Sequence, residues 1–274
     1  MKQISNLLIV VSFLFFIVVG CEKQASEPTY GIMAKTTTLG TVLTNQQGKT
    51  LYFFSSDVSG TSACSGNCLT NWPVFYVDLT SVDPTLIATD FGTITRADGT
   101  KQTTFKGWPL YTYSGDAAAG DVKGENVGSK WYVAKTTYTI MLANAQLVGQ
   151  DGKQYTSKYT EGAGDTQYFV DETGRTLYGF ANDKKNKNNY TKSDFSNDGT
   201  WPIFGLDLKD VPSAIDKSLF GTITVFGKNQ LTYKGWPLYY FGSDNKVRGV
   251  NKGVSVPRPG VWPIVNKDTP DAPL

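Results

Sequence analysis

The stretch FKGWPLYTYSGD at 105–116 returns as YKGWPLYYFGSD at 233–244, and looser copies, LYFFSSD at 51–57 and LYGFAND at 177–183, stand between and before them. The four motif tyrosines, Tyr52, Tyr111, Tyr178 and Tyr239, are each followed two residues later by an aromatic ring: Phe54, Tyr113, Phe180 and Phe241. Three residues beyond that comes an acid, Asp57, Asp116, Asp183 or Asp244. Each acid is followed by a tryptophan: Trp72 and Trp131 lie 15 residues on, Trp201 and Trp262 lie 18 on. Repetition at this period has to be read before any local element, because the repeat decides the fold. The spacing alternates by unit type, so the duplication is by pairs. FGTIT recurs at 91–95 and 220–224, and GKTLYFFSSD at 48–57 matches GRTLYGFAND at 174–183.

The residues between the motifs are turn formers flanked by short β-branched or aromatic runs, as in TVLT before NQQGK and TIT before ADGT. No segment after residue 20 holds an apolar 3.6-residue period, and only a short turn around Cys68–Asn71 suggests helix. The expectation is an all-β fold of two tandem homologous β-domains, each made of two hairpin-based repeats of about 60 residues. A small barrel, a sandwich and propeller-like blades all fit. The domains are expected at 31–136 and 137–274, with the apolar β-prone YTIML at 138–142 adding strands to the second.

The first twenty residues carry one lysine and an apolar run from Leu7 to Val19, ending in Val-Val-Gly before Cys21. That run is shorter than the roughly 20 residues of a membrane-spanning helix and has the anatomy of an export signal. Small residues before a cysteine form a bacterial lipobox. Residues 1–20 are therefore expected to be a lipoprotein signal peptide and Cys21 the acylated, palmitate-bearing terminus. Polar residues 21–30 would then tether the globular part to the membrane. Several acyl chains, at about 0.8 kcal/mol per buried CH₂, give stable anchoring.

Composition excludes a good deal. With 26 basic and 24 acidic residues there is no basic surplus to meet nucleic acid. Histidine is absent, which removes the Ser-His-Asp unit, the His-rich zinc site, the blue-copper site and c-type haem attachment. No metal and no cofactor are expected.

In a strand the motif tyrosine and the second aromatic share a face while the residue between them varies, so the constant face reads as the packed one. The acid reads as a turn-former accepting backbone N–H groups two residues on. The rival reading makes the four carboxylates ligand-facing acids of a glycan-active cleft, but four equivalent acids fit geometry better than catalysis. Trp108 and Trp236, in the two GWP segments, are candidate ligand platforms. Cys64 and Cys68 are expected to form a local disulfide in an exported protein. At an offset of 129, Ser193 and Asn197 stand in their place. Asp194, Ser196 and Asp198, in a lysine-rich stretch, complete no calcium pattern and read as solvated loop.

Taken together, the lipobox, GKTLYFFSSD, CSGNCLTNWP and GWPLYYFGSD resemble a bacterial family of lipoproteins built from secreted repeats of unknown function and marked by a Tyr-x-aromatic-x-x-Asp motif. The resemblance implies a lipid-anchored protein of the cell envelope, at the outer membrane or cell surface rather than free in the periplasm. It brings no established activity. The expected function is a non-enzymatic binding or scaffold module with a protein, small-molecule or glycan ligand. The alternatives are an accessory of extracytoplasmic electron transfer, since relatives occur joined to redox modules, and a carbohydrate-binding or glycan-active protein.

Overall fold

The computed structural model describes residues 30–274. The signal segment, Cys21 and the tether up to residue 29 lie outside the described residues. The described chain is built from short antiparallel strands with almost no helix, as the turn chemistry predicts.

In the first half, β1 (Ile32–Thr37) and β2 (Gly40–Asn45) form a hairpin through a turn at Thr38 and Leu39. The chain then enters β3 (Tyr52–Phe54), passes the single helical turn α1 (Cys68–Asn71), and continues through β4 (Phe91–Thr95), β5 (Lys101–Phe105), β6 (Trp108–Tyr111) and β7 (Trp131–Val133). These five strands form one sheet in the order β4-β5-β6-β3-β7. The two motif strands are therefore neighbours, and Tyr52 sits directly opposite Tyr111 in the register.

The second half repeats the plan. Strand β8 (Ile140–Val148) pairs with β10 (Asp165–Asp171), the counterpart of the β1–β2 hairpin, and the intervening excursion carries the short β9 (Gln154–Tyr155). The segment 137–165 thus supplies the opening strand of the second half. Strands β11 (Phe220–Val225), β12 (Lys228–Tyr233) and β13 (Trp236–Pro237) follow, and Tyr178 bridges Tyr239 as Tyr52 faces Tyr111. Neither half closes into a barrel.

The largest apolar cluster crosses from one half to the other. It joins Phe53, Val58, Trp108 and Tyr132 of the first half to Tyr168, Leu177, Phe204 and Tyr239 of the second. The halves are homologous in plan but share a core. Smaller clusters around Leu51 and Leu110, and around Tyr52 and Trp131, belong to the first half alone.

Phe53 shows why the one-face reading of the motif strand is too simple. It stands at the varying position yet is 1 % exposed, packed on Trp108 with ring centroids 5.1 Å apart. In the first half both faces of β3 are buried, one inside its own half and one against the second half. A central strand covered on both sides has no solvent face to spare for alternation.

Candidate functional site

The motif residues form ties between units. The Tyr52 hydroxyl donates to Asp116 Oδ2 at 2.7 Å, and the Tyr111 hydroxyl donates to Asp57 Oδ2 at 2.7 Å. In the second half Tyr178 donates to Asp244 at 2.6 Å and Tyr239 to Asp183 at 2.7 Å. Each tyrosine reaches the acid of the sister unit, so the two units of a half are cross-tied about their paired strands.

The other oxygen of each acid closes its own loop. Asp57 Oδ1 accepts the Ala63 N–H, Asp116 that of Lys123, Asp183 that of Asn189 and Asp244 that of Lys252, at 2.7–3.0 Å. This corrects the turn-former expectation. The bonded N–H lies six to eight residues on rather than two. A short-range Asx turn satisfies only local backbone, whereas these acids organise a whole loop.

Burial outweighs these bonds in setting the acids' protonation. It pushes Asp57 and Asp244 up to about 7, and Asp183 to about 6, while Asp116 is raised in the same sense. The partner tyrosines are raised above their usual range by burial and by the facing carboxylates.

Beneath the ties, the tryptophan that follows each motif stacks on its sister. Trp72 and Trp131 lie 3.8 Å apart at 2°, Trp201 and Trp262 3.7 Å apart at 7°. The second aromatics extend each pair into a four-ring column. Phe54 stacks on Trp131 and Tyr113 on Trp72, and in the second half Phe180 stacks on Trp262 and Phe241 on Trp201. Motif tyrosines meet the columns edge-on, as with Tyr111 on Trp131 at 5.0 Å. Offset and edge-on contacts of this kind contribute about 0.5–1.5 kcal/mol each beyond area burial. A side chain on Gly124 would lie 2.7 Å from the Tyr52 ring and 2.9 Å from Trp72, and one on Gly253 would meet Tyr178 and Trp201 at 2.7 Å. The glycines therefore let the loop backbone lie on the column, and the Gly124 N–H also donates to Tyr52 Oη at 3.2 Å.

Cys64 and Cys68 are disulfide-bonded, with Cα atoms 5.5 Å apart. In the second half Asn197 does take the place of Cys68, since its carbonyl accepts the Trp201 N–H as that of Cys68 accepts the Trp72 N–H. Ser193 is not the counterpart of Cys64. The place is held by Tyr190, adjacent to Asn189 as Cys64 is to Ala63. Asn197 Nδ2 donates to the Tyr190 carbonyl at 2.7 Å. A hydrogen-bonded clasp thus replaces the covalent one, and the Tyr190 ring packs edge-on to Trp262 at 4.8 Å. The three extra residues of the second-half loop are what shifted the sequence offset.

The two GWP tryptophans part company. Trp108 is 1 % exposed and donates its indole N–H to the Glu172 carbonyl at 3.0 Å, so it is an internal anchor between the halves and no ligand platform. Arg248, which the sequence reading passed over, lies across it with its guanidinium 4.8 Å from the ring centroid. Its Nε donates to the Val58 carbonyl at 2.6 Å and its Nη1 to the Lys106 carbonyl at 3.0 Å. Trp236 is half-buried and lines an open cavity of about 340 Å³ with Tyr159, Gly179, Pro263, Val265 and Pro270. A second cavity, of about 560 Å³, lies where the halves meet, with the exposed Ile87 and Leu206 among its lining residues.

Comparison with protein families gives three matches to one model, described as a secreted repeat of unknown function, at residues 33–76, 92–135 and 223–266. Three of its four repeat units belong to this family of secreted repeats. The matched segments are the first, second and fourth units. The unmatched third unit is the one whose loop carries Tyr190 and Asn197 in place of the cysteines. The family's description gives these repeats an extracytoplasmic location. No curated protein and no solved structure matches the chain.

Proposed function

We propose that this secreted-repeat protein is a non-enzymatic binding or scaffold module, held to the bacterial cell envelope through an acylated Cys21 and displayed at the outer membrane or cell surface. The observation that carries the reading is the use of the motif acids. All four carboxylates spend one oxygen on a sister-unit tyrosine and the other on a loop N–H. Groups committed in this way set the fold and are not presented to a substrate. The aromatic columns are interior as well, since Trp72, Trp131, Trp201 and Trp262 are all buried. What the fold leaves open is the cavity beside Trp236, the better of the two GWP platforms for a protein, small-molecule or glycan ligand.

The test is native mass spectrometry of the acylated protein, purified from its own membrane without reductant. A mass equal to chain, lipid and one disulfide is expected, with no cofactor or metal. Reproducible additional mass from a redox cofactor would overturn the module reading and put the electron-transfer accessory in its place. Cys21→Ser should release the protein from the membrane fraction, and retention there would sink the anchoring.

A further inference from the structure

In the first half the KGWP turn is covered by the second half. Three atoms make the contact: the Trp108 indole N–H donates to the Glu172 carbonyl, the Lys106 carbonyl accepts from Arg248 Nη1, and the Lys106 ammonium pairs with the Glu172 carboxylate. The matching turn of the second half is covered by the chain's own last residues, and the same three atoms are used. The Trp236 indole N–H donates to the Pro270 carbonyl at 2.8 Å, and the Lys234 carbonyl accepts the Ala272 N–H at 2.9 Å. The Lys234 ammonium donates to the Lys267 and Thr269 carbonyls at 2.9 and 2.8 Å. The turn glycines agree too, with φ of 77° at Gly107 and 83° at Gly235. A side chain on Gly107 would strike Arg248 Nη1 at 1.8 Å, and one on Gly235 would meet Lys185 Cγ at 2.8 Å and Ala272 Cβ at 3.4 Å.

The two covers are open in different places. Over the first-half turn, Phe53 and Tyr132 fill the space between the halves and are buried. Their counterparts in the second half are Gly179 and Pro263, which line the cavity of about 340 Å³ under the C-terminal segment. The first-half cover has gaps of about 560 and 370 Å³ beside Lys106 and Glu172, so what distinguishes the second-half cover is that it is open at the tryptophan itself, where its counterpart is close-packed.

We propose that the Trp236 face is a docking face for the hairpin edge of a further repeat domain on another polypeptide, and that residues 267–274 are a strap occupying it until that domain arrives. The internal interface states the partner's chemistry. Its hairpin must offer a carboxylate where the second half has Glu172, and an arginine directly before the glycine whose N–H bonds the hairpin turn, as Arg248 precedes Gly249. The first half presents an edge with the same backbone, since the Gly120 N–H donates to the Gly48 carbonyl at 2.9 Å as Gly249 does to Gly174 at 2.8 Å. It carries Gln46 and Ala119 where the second half has Glu172 and Arg248. A second copy of this chain is therefore poorly matched to the face. Repeat faces are covered or mismatched to stop open-ended growth, and here the strap covers one face while the other lacks the charges.

The test grafts the partner's chemistry onto this chain. The soluble chain beginning at Glu22 keeps every described residue; Gln46→Glu and Ala119→Arg are introduced into it, and the strap is released by truncation after Asn266 or, at full length, by Ala272→Pro. Sedimentation velocity should show concentration-dependent head-to-tail oligomers for the grafted, released chain. Trp236→Ala should weaken them at least about tenfold, as loss of a buried aromatic anchor does. A grafted, released chain that keeps the exciton-coupled circular dichroism of its stacked tryptophans and stays monomeric overturns the proposal. Equal association without the grafts would assign the face to a second copy and overturn the partner chemistry. The inference rests on the module reading, but the two fail separately: extra native mass sinks that reading, and a folded monomer sinks only the docking face.

Discussion

The two halves solve the same folding problem with different parts. Both cross-tie their units through Tyr–Asp pairs and both stack two tryptophans within 4 Å. The first half then closes its loop with a disulfide and braces it with Arg96, whose guanidinium donates to the Cys64 carbonyl at 2.7 Å and to Gln102. The second half uses Asn197 for the clasp, and Asn188, which donates to Gln230 at 2.7 Å, for the brace. Gln102 and Gln230 each go on to donate to the Leu110 or Leu238 carbonyl at 2.9 Å. What stays fixed in both halves is the tie, the column and the glutamine. The means of closing the loop is free to change, provided that a strong local link remains.

Trp72→Ala and Trp201→Ala should therefore be the most costly single changes, and nearly equal. Each removes a buried indole stacked on two rings, a loss of about 3–5 kcal/mol for a large aromatic truncated to alanine. Chemical denaturation of both variants would measure it. A cost below about 1 kcal/mol in one half would show that the columns are not equivalent.

Arg248→Ala ranks next and acts between the halves. It removes two donors to the Val58 and Lys106 carbonyls and a cation from the Trp108 face. Hydrogen bonds from a charged group contribute about 1.5–3 kcal/mol each, so a loss of about 3 kcal/mol is expected. Calorimetry should then show the single transition of the shared core splitting in two. Ala119→Gly, at the matching place in the first half, should leave the melting profile unchanged. An unsplit, unshifted Arg248→Ala profile would mean that the apolar cluster alone couples the halves.

The acids predict a pH dependence opposite to that of salt-bridged carboxylates. Asp57, Asp183 and Asp244 have folded values near 6 to 7, above the unfolded range near 4, so the native state holds more protons in that interval. Stability contributed by a raised carboxyl is full below the unfolded pKa and is lost as pH rises through the folded one. Melting temperature should fall between about pH 4 and pH 7. Asp57→Asn with Asp183→Asn and Asp244→Asn should flatten the profile, since an amide does not titrate. A melting temperature that rises across that interval in the parent would show that the hydrogen bonds, and not burial, set these protonation states.

Much of this architecture was legible in the chain. The pairing of units, the all-β class, the disulfide and the strand character of 137–165 all follow from repetition, turn residues and cysteine placement. The site was only partly so. That Tyr52 answers to Asp116 rather than Asp57 depends on which strands become neighbours, and one repeat unit read by itself cannot say. Trp108 and Trp236 are identical in local sequence, and their fates differ because other segments cover them. A signal did exist for Arg248. Aligning the halves sets it opposite Ala119, and a buried-length cation facing a methyl in a tandem pair marks a contact that only one half makes.

The smallest expected effects are also the sharpest comparison, because they set a covalent clasp against a hydrogen-bonded one. Replacing Cys64 and Cys68 together by serine removes a link across a five-residue segment, a loss of roughly 2 kcal/mol when the closed loop is short. Asn197→Ala removes the donor to the Tyr190 carbonyl and the acceptor of the Lys192 N–H, bonded at 3.0 Å. At about 0.5–1.5 kcal/mol per hydrogen bond the cost is about 2 kcal/mol, with some of it recovered because the Lys192 amide is exposed to water. Tyr190 decides which clasp is the stronger. Its ring, packed on Phe180 and Trp262, stays when Asn197 is truncated, while the first half has no ring at Cys64 to hold its loop once the sulfurs are gone. Asn197→Ala should therefore cost less than the serine pair, and Tyr190→Ala added to it should more than double the loss. If Asn197→Ala alone matched the disulfide, the clasp and not the ring would carry the second-half loop.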